Sequence, residues 1–164
     1  MITRSTPVYR VEVRLRPEFA DAEGQAALAL LHGCGLYAAR ELRSGKVYEI
    51  RATFNMSQVQ QAARELLCDG VTQEWKVLNP GPPHFNGMSH WRVEVWPKPS
   101  VTDPAGETVR TALSENGLPQ PEWVRVGSVY HITGKCHRNQ LERAVWRSLA
   151  NPLIHRVSVT EAHQ

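Results

Sequence analysis

The sequence predicts an α+β protein built from two tandem β-α-β-β-α-β units, each a two-layer sandwich, that pair within one chain as a pseudo-dimer. Three observations predict it. The chain repeats itself: Arg10-Val-Glu-Val13 recurs as Arg92-Val-Glu-Val95, a shift of 82 positions that then holds without a gap. Pro17, Asp21, Gly24, Leu31, Gly35 and Leu36 fall on Pro99, Asp103, Gly106, Leu113, Gly117 and Leu118. Arg43, Gly45, Val47, Tyr48 and Ile50 fall on Arg125, Gly127, Val129, Tyr130 and Ile132. About a quarter of the roughly 70 aligned pairs are identical. The second observation is that strand and helix periodicities follow the same order in each copy. The third is size: at about 70 residues a single core is marginal, so the copies are expected to bury surface against each other.

The elements follow in order. Val11, Val13 and Leu15 alternate with Arg10, Glu12, Arg14 and Arg16, and Val93 and Val95 alternate with Arg92, Glu94 and Trp96, the period of a half-buried strand. Asp21 and Asp103 then stand as N-caps of a helix. Its apolar stripe is Ala27, Leu30, Leu31 and Cys34 in one copy and Val109, Ala112 and Leu113 in the other. Gly35 and Gly117 end that helix in the left-handed position. Two short apolar segments follow, centred on Ser44-Gly45 and Val126-Gly127, and read as a β-hairpin with glycine in the turn. Ser57-Gln-Val-Gln60 and Asn139-Gln-Leu-Glu142 have the spacing of capping boxes and start a second helix. Its stripe is Val59, Ala62, Ala63, Leu66 and Leu67, matched by Leu141, Ala144, Val145 and Leu149. Asn151-Pro152 stops the second copy's helix, and 71–78 and 153–159 supply the last strands. Two helices on one face of a small antiparallel sheet is the ferredoxin-like type of layering. The other face needs cover, from the sister copy, from edge pairing into one continuous sheet, or from another chain. Residues 79–89, with three prolines and two glycines, read as a linker between a first repeat at 1–78 and a second at 90–164.

Composition narrows function by exclusion. With 164 residues, 41% hydrophobic and 21% charged, the chain has a core's worth of apolar residues and no room for a multidomain enzyme. The 19 Lys and Arg against 16 Asp and Glu give +3, spread without blocks, and no exposed aromatic trio of an RNA-binding sheet is visible, so nucleic acid is not an expected partner. Three cysteines, Cys34, Cys68 and Cys136, without CxxC spacing suggest neither a disulfide framework nor a zinc ribbon and fit the cytoplasm. Neither a signal peptide nor a membrane-spanning run is expected. No nucleophile elbow, HExxH, Walker A or GxGxxG spacing occurs. His131, Cys136 and His137, with His155, are the best metal candidates. Adjacent Cys136 and His137 do not readily converge on one ion, however, and the first copy has Glu49, Phe54 and Asn55 in the aligned places. No metal, cofactor or catalytic residue is therefore expected.

What remains points to surfaces. Arg43, Gly45 and Tyr48, repeated as Arg125, Gly127 and Tyr130, would be brought together by a hairpin, either to grip an anion or as plain cross-strand packing. Four of the five tryptophans, Trp91, Trp96, Trp123 and Trp146, lie in the second copy and only Trp75 in the first. Trp91 and Trp96, on the nominally polar face or at the ends of the strand, are expected to need a partner to leave water. These eight residues, Arg43, Gly45, Tyr48, Trp91, Trp96, Arg125, Gly127 and Tyr130, are the candidate partner-interface set.

The second copy carries a family pattern. Val93-Glu-Val95, Lys98-Pro-Ser-Val-Thr-Asp-Pro-Ala-Gly106, Ala112-Leu113, Gly117, Val124-Arg-Val-Gly127, Tyr130, Ile132, Leu149 and Asn151-Pro-Leu-Ile154 together resemble the PurS family. PurS is the small subunit of bacterial phosphoribosylformylglycinamidine synthase. The first copy is similar but worn: Asp-Pro has become Asp21-Ala22, and Asn-Pro-x-Ile has become Asp69-Gly-Val-Thr72. The resemblance implies a non-catalytic adaptor between a glutaminase subunit and an ATP-dependent synthetase subunit, with ATP, Mg and glutamine bound by those partners. It also implies that the tandem chain is the family's dimer fused into one polypeptide, open to pairing again as a pseudo-tetramer. A linker of about eleven residues spans up to about 35 Å, and tethering raises the second copy's effective concentration into the millimolar range. Fusion permits each copy to drift toward a different partner. A stand-alone regulatory module binding a small ligand would use the same duplicated unit.

Overall fold

The computed structural model describes residues 4–79 and 90–162. The linker expected at 79–89 lies, apart from Asn79, outside the described residues. The first repeat runs β1 (Val8–Leu15), α1 (Ala22–Gly33), β2 (Ala39–Arg51), α2 (Met56–Ala62) with a π-helical turn at Ala63–Leu67, and β3 (Gln73–Val77). The second runs β4 (His90–Pro97), α3 (Pro104–Glu115), β5 (Trp123–Gly134), α4 (Arg138–Ser148) and β6 (His155–Ala162). The fold class is as expected, α+β with two repeated β-α-β-β-α-β-like units, and the strands form one sheet in the order β3-β1-β2-β5-β4-β6. β1 pairs antiparallel with β3, and β4 with β5 and β6.

The middle strand of each repeat corrects the expected hairpin. β2 runs 13 residues and β5 runs 12 with no turn at Ser44-Gly45 or Val126-Gly127. Left-handed φ occurs, among the described glycines, at Gly35, Gly117 and Gly134. Gly127 has another purpose: a Cβ there would come within 2.6 Å of the Trp96 indole. A glycine can mark close approach as well as a turn, and here it marks close approach.

The continuous strands matter because their halves belong to different compact units. The first unit holds β1, the end of β2 from Lys46, α2 with its π turn, β3, α3 and the start of β5 to Val126. The second holds α1, the start of β2 to Gly45, β4, the rest of β5, α4 and β6. Each unit thus takes its first helix from the other repeat. The core of the first unit packs Val11, Val13, Ile50, Val59 and Ala62 around Leu113, Leu118 and Val124 of the second repeat. The core of the second packs Trp91, Val93, Ile132, Leu141 and Val145 around Leu31, Leu36 and Leu42 of the first repeat. Leu31 and Leu113 occupy equivalent positions, and both are fully buried.

The helix starts are fixed by side-chain chemistry. Asp21 accepts the Gly24 amide at 2.9 Å, and through its other oxygen the Ser44 amide at 2.6 Å. Asp103 does the same with the Gly106 amide at 3.0 Å and the Val126 amide at 2.9 Å. Each aspartate therefore caps a helix and ties it to the crossing strand, as expected for the caps and beyond it for the strand. Gly24 and Gly106 allow this closeness, since a Cβ would meet the Leu42 carbonyl oxygen at 2.7 Å and the Val124 carbonyl oxygen at 2.1 Å.

Three local expectations shift. The capping box of α2 is Asn55 with Gln58, two residues before the expected Ser57, and α4 starts after His137 with no side-chain cap. Ser57 and Asn139 consequently fall inside the first turn. Leu30, assigned to the buried stripe of α1, is 51% exposed. The stripe of α1 needs only Ala27 and Leu31, with Leu28 and Cys34 at its margin.

Candidate partner-binding surface

The eight residues singled out as an interface set are distributed by the fold rather than gathered. Arg43 and Tyr48 are five residues apart on one unbroken strand, which puts them on opposite faces, and the same holds for Arg125 and Tyr130. Arg43 donates from Nη1 to the Phe19 carbonyl at 3.0 Å. Arg125 lies over the Trp123 ring at 4.8 Å. Tyr48 and Tyr130 pack against the first and second cores respectively. Burial pushes the Tyr48 phenol above its ordinary value, with Cys68 adding to the shift. Burial pushes Tyr130 up as well, against a hydrogen bond from Ser128 and with Glu23 adding. Neither repeat assembles an arginine-tyrosine grip.

Trp91 and Trp96 are 3% and 4% exposed. Trp91 is in phase with Val93 and Val95 and sits in the second core, opposite Ile132. Trp96 is on the other face of β4, its ring over Gly127 and its indole N–H donating to Glu94 Oε1 at 2.9 Å. Glu94 also accepts from Arg92 Nε at 2.8 Å, a pair that is nearly buried. Hydrogen bonds lower the cost of holding such a pair out of water, and Trp96 supplies one to Glu94. The burial of both tryptophans is thus explained inside the chain.

No group of three His, Cys, Asp or Glu side chains converges among the described residues. His155 accepts the Asn151 amide on Nδ1 at 3.0 Å, and His131 is buried on β5. The three cysteines are free thiols, and burial pushes the thiols of Cys68 and Cys136 upward, the opposite of what a nucleophile needs. Among the described residues no helix is long and apolar enough to cross a membrane.

What the fold does present is exposed apolar and basic surface. After α2 and after α4 the chain makes the same turn: Asp69 Oδ1 accepts the Val71 amide at 2.9 Å, and Asn151 Oδ1 accepts the Leu153 amide at 2.9 Å. That Val71 hydrogen bond, foremost among its neighbours, holds the Asp69 carboxyl below its ordinary range. The turn of the worn Asp69-Gly70 therefore survives without the Asn-Pro pair. Each loop carries an aliphatic side chain into water, Val71 at 76% exposure and Leu153 at 81%, with Ile154 beside the latter. α1 leaves Leu30 uncovered, and Tyr37 beyond it is exposed too.

The second unit adds a groove along the outer side of α4. It is lined by Asn139, Glu142, Arg143, Trp146, Arg147 and Pro152. Asn139, Arg143 and Arg147 form one i, i+4 row and Glu142 and Trp146 the next, so the helix alone sets the spacing. Glu142 is engaged by Arg138 at 3.7 Å. The equivalent positions in the first unit are Ser57, Gln60, Gln61, Arg64, Glu65 and Gly70, with Arg64 and Glu65 paired at 3.6 Å. The paired constellations gave no sign of this groove, whose lining side chains the repeats do not share. The signal available was Trp146 on a helix whose buried stripe did not need it.

A family model described as PurS, phosphoribosylformylglycinamidine (FGAM) synthase, matches this chain twice, over residues 8–79 and again over residues 90–162. No individual curated protein matches it.

Proposed function

Because the chain belongs to the PurS family, a subunit family of FGAM synthase in purine biosynthesis, through both of its repeats, we propose that it is the non-catalytic adaptor of that synthase. In this reading it bridges a glutaminase subunit and an ATP-dependent synthetase subunit and supports the passage of ammonia between them. The double match carries the proposal, since one chain then supplies in fixed proportion what two separate copies would have to supply by association. ATP, Mg and glutamine belong on the partner subunits. The complex works in the cytoplasm, and the chain takes the place of a dimer, open to pairing with a second copy of itself as a pseudo-tetramer.

The fold is consistent with this role because its specialised features are surfaces. Burial raises the thiols of Cys68 and Cys136, and His155 Nδ1 is spent accepting the Asn151 amide. The test is glutamine-dependent FGAM synthesis by the glutaminase and synthetase of the same genome, with and without this chain, alongside light scattering of the mixture. Activity and a stable complex that require the chain are expected. Unchanged activity and no complex would refute the adaptor role, and a ligand-dependent rise in melting temperature of the chain alone would favour a small-ligand regulator.

A further inference from the structure

We propose that the α4 groove of the second unit is a docking site for an acidic, apolar-anchored polypeptide segment of a partner protein. This deepens the subunit reading and rests on it. Arg143 and Arg147 are exposed, one helical turn apart, and neither makes an ion pair or side-chain hydrogen bond among the described residues. The acid in the groove, Glu142, is taken up by Arg138. The groove therefore presents uncompensated positive charge in the row beside the half-buried Trp146.

The apolar part fixes the class of occupant. Pro152 lines the groove, and Leu153 and Ile154, 81% and 41% exposed, follow it directly on a loop held by the Asn151 and His155 hydrogen bonds. An inorganic anion would use the two arginines and leave the tryptophan and the exposed aliphatic side chains that follow Pro152 idle. A polypeptide with carboxylates beside an apolar side chain uses all of them. Tryptophan and arginine together are the composition that dominates protein interfaces, and the charges steer the encounter. The equivalent surface of the first unit holds glutamines and a self-neutralised Arg64-Glu65 pair, so it lacks the charge that would attract such a segment.

The test uses the full chain with the glutaminase and synthetase subunits. Arg143→Glu with Arg147→Glu is expected to weaken complex formation about tenfold or more and to flatten its salt dependence, and Trp146→Ala to weaken it comparably. The matched Gln61→Glu in the first unit is expected to leave affinity unchanged. A photo-crosslinker at Asn139 is expected to mark an acidic stretch of a partner. Wild-type affinity in the double variant, or crosslinks confined to a second copy of this chain, would overturn the docking site while leaving the adaptor role standing. Should the wild-type chain bind neither subunit, the adaptor role fails and a fluorescein-labelled, glutamate-rich peptide with central leucines decides the docking site by anisotropy. Binding lost in the double variant supports it. No binding, or binding of inorganic phosphate instead, overturns it.

Discussion

The two compact units share a frame and differ on their surfaces, and the difference shows what duplication inside one chain makes possible. Both units cap a helix with an aspartate that also holds the crossing strand, both bury a leucine lent by the other repeat, and both end their second helix in the same aspartate or asparagine turn. The shared parts are backbone and core. The second unit alone combines Trp146, Arg143 and Arg147 in a groove, while the first has a π turn and a neutral face there. Two separate identical subunits must carry the same surface. One fused chain need not.

The comparison makes predictions of graded size. The largest effect is on fold integrity. Because each core contains side chains of both repeats, residues 1–79 alone and residues 90–164 alone are expected to be unfolded by circular dichroism, and an equimolar mixture to regain the spectrum of the whole chain. An isolated repeat that folds as a monomer, checked by light scattering, would break the comparison at its root.

Next in size, Leu31→Ala and Leu113→Ala are each expected to cost about 2–5 kcal/mol in urea unfolding, in nearly equal amounts, because both side chains are fully buried at equivalent positions. Their effects are expected to add, as the two cores share no residue. A large inequality would show that the frames are less alike than their geometry. Gly106→Ala and Gly127→Ala come third, at about 1–3 kcal/mol, the first from contact with a backbone carbonyl and the second from contact with an indole ring. The smallest effect is alkaline. Tyr48 and Tyr130 have phenols raised by burial, so above the ordinary tyrosine value of about 10 the unfolded state releases its protons first and stability falls as pH rises. Tyr48→Phe and Tyr130→Phe are expected each to remove part of that fall and one late component of the absorbance titration.

Much of the frame was legible in the sequence. The repeat, the caps at Asp21 and Asp103, the left-handed glycines Gly35 and Gly117, and the stripes of α2 and α4 follow from local chemistry, which a sequence carries in full. The failures have a common cause in long-range packing. Gly127 next to Val126 has the local pattern of a turn, and only the Trp96 ring lying on it shows that the strand continues. Once β5 is continuous, Arg125 and Tyr130 part, and with them the expected constellation. Leu30 fits a helical stripe by spacing, but which face of α1 is covered depends on α4, a neighbour more than 100 residues away in the chain. The groove was hidden because equivalence between repeats exposes what is common to them, and Arg143, Trp146 and Arg147 are replaced by Gln61, Arg64 and Glu65 in the first copy.

Hydrogen exchange of the chain, free and within the proposed complex with glutaminase and synthetase, tests the central claim most directly, that like frames carry unlike surfaces. Protection on assembly is expected over 138–154, spanning α4 and its following loop, with little change over the equivalent 56–72. Equal protection of both segments, or protection of 56–72 alone, would contradict it.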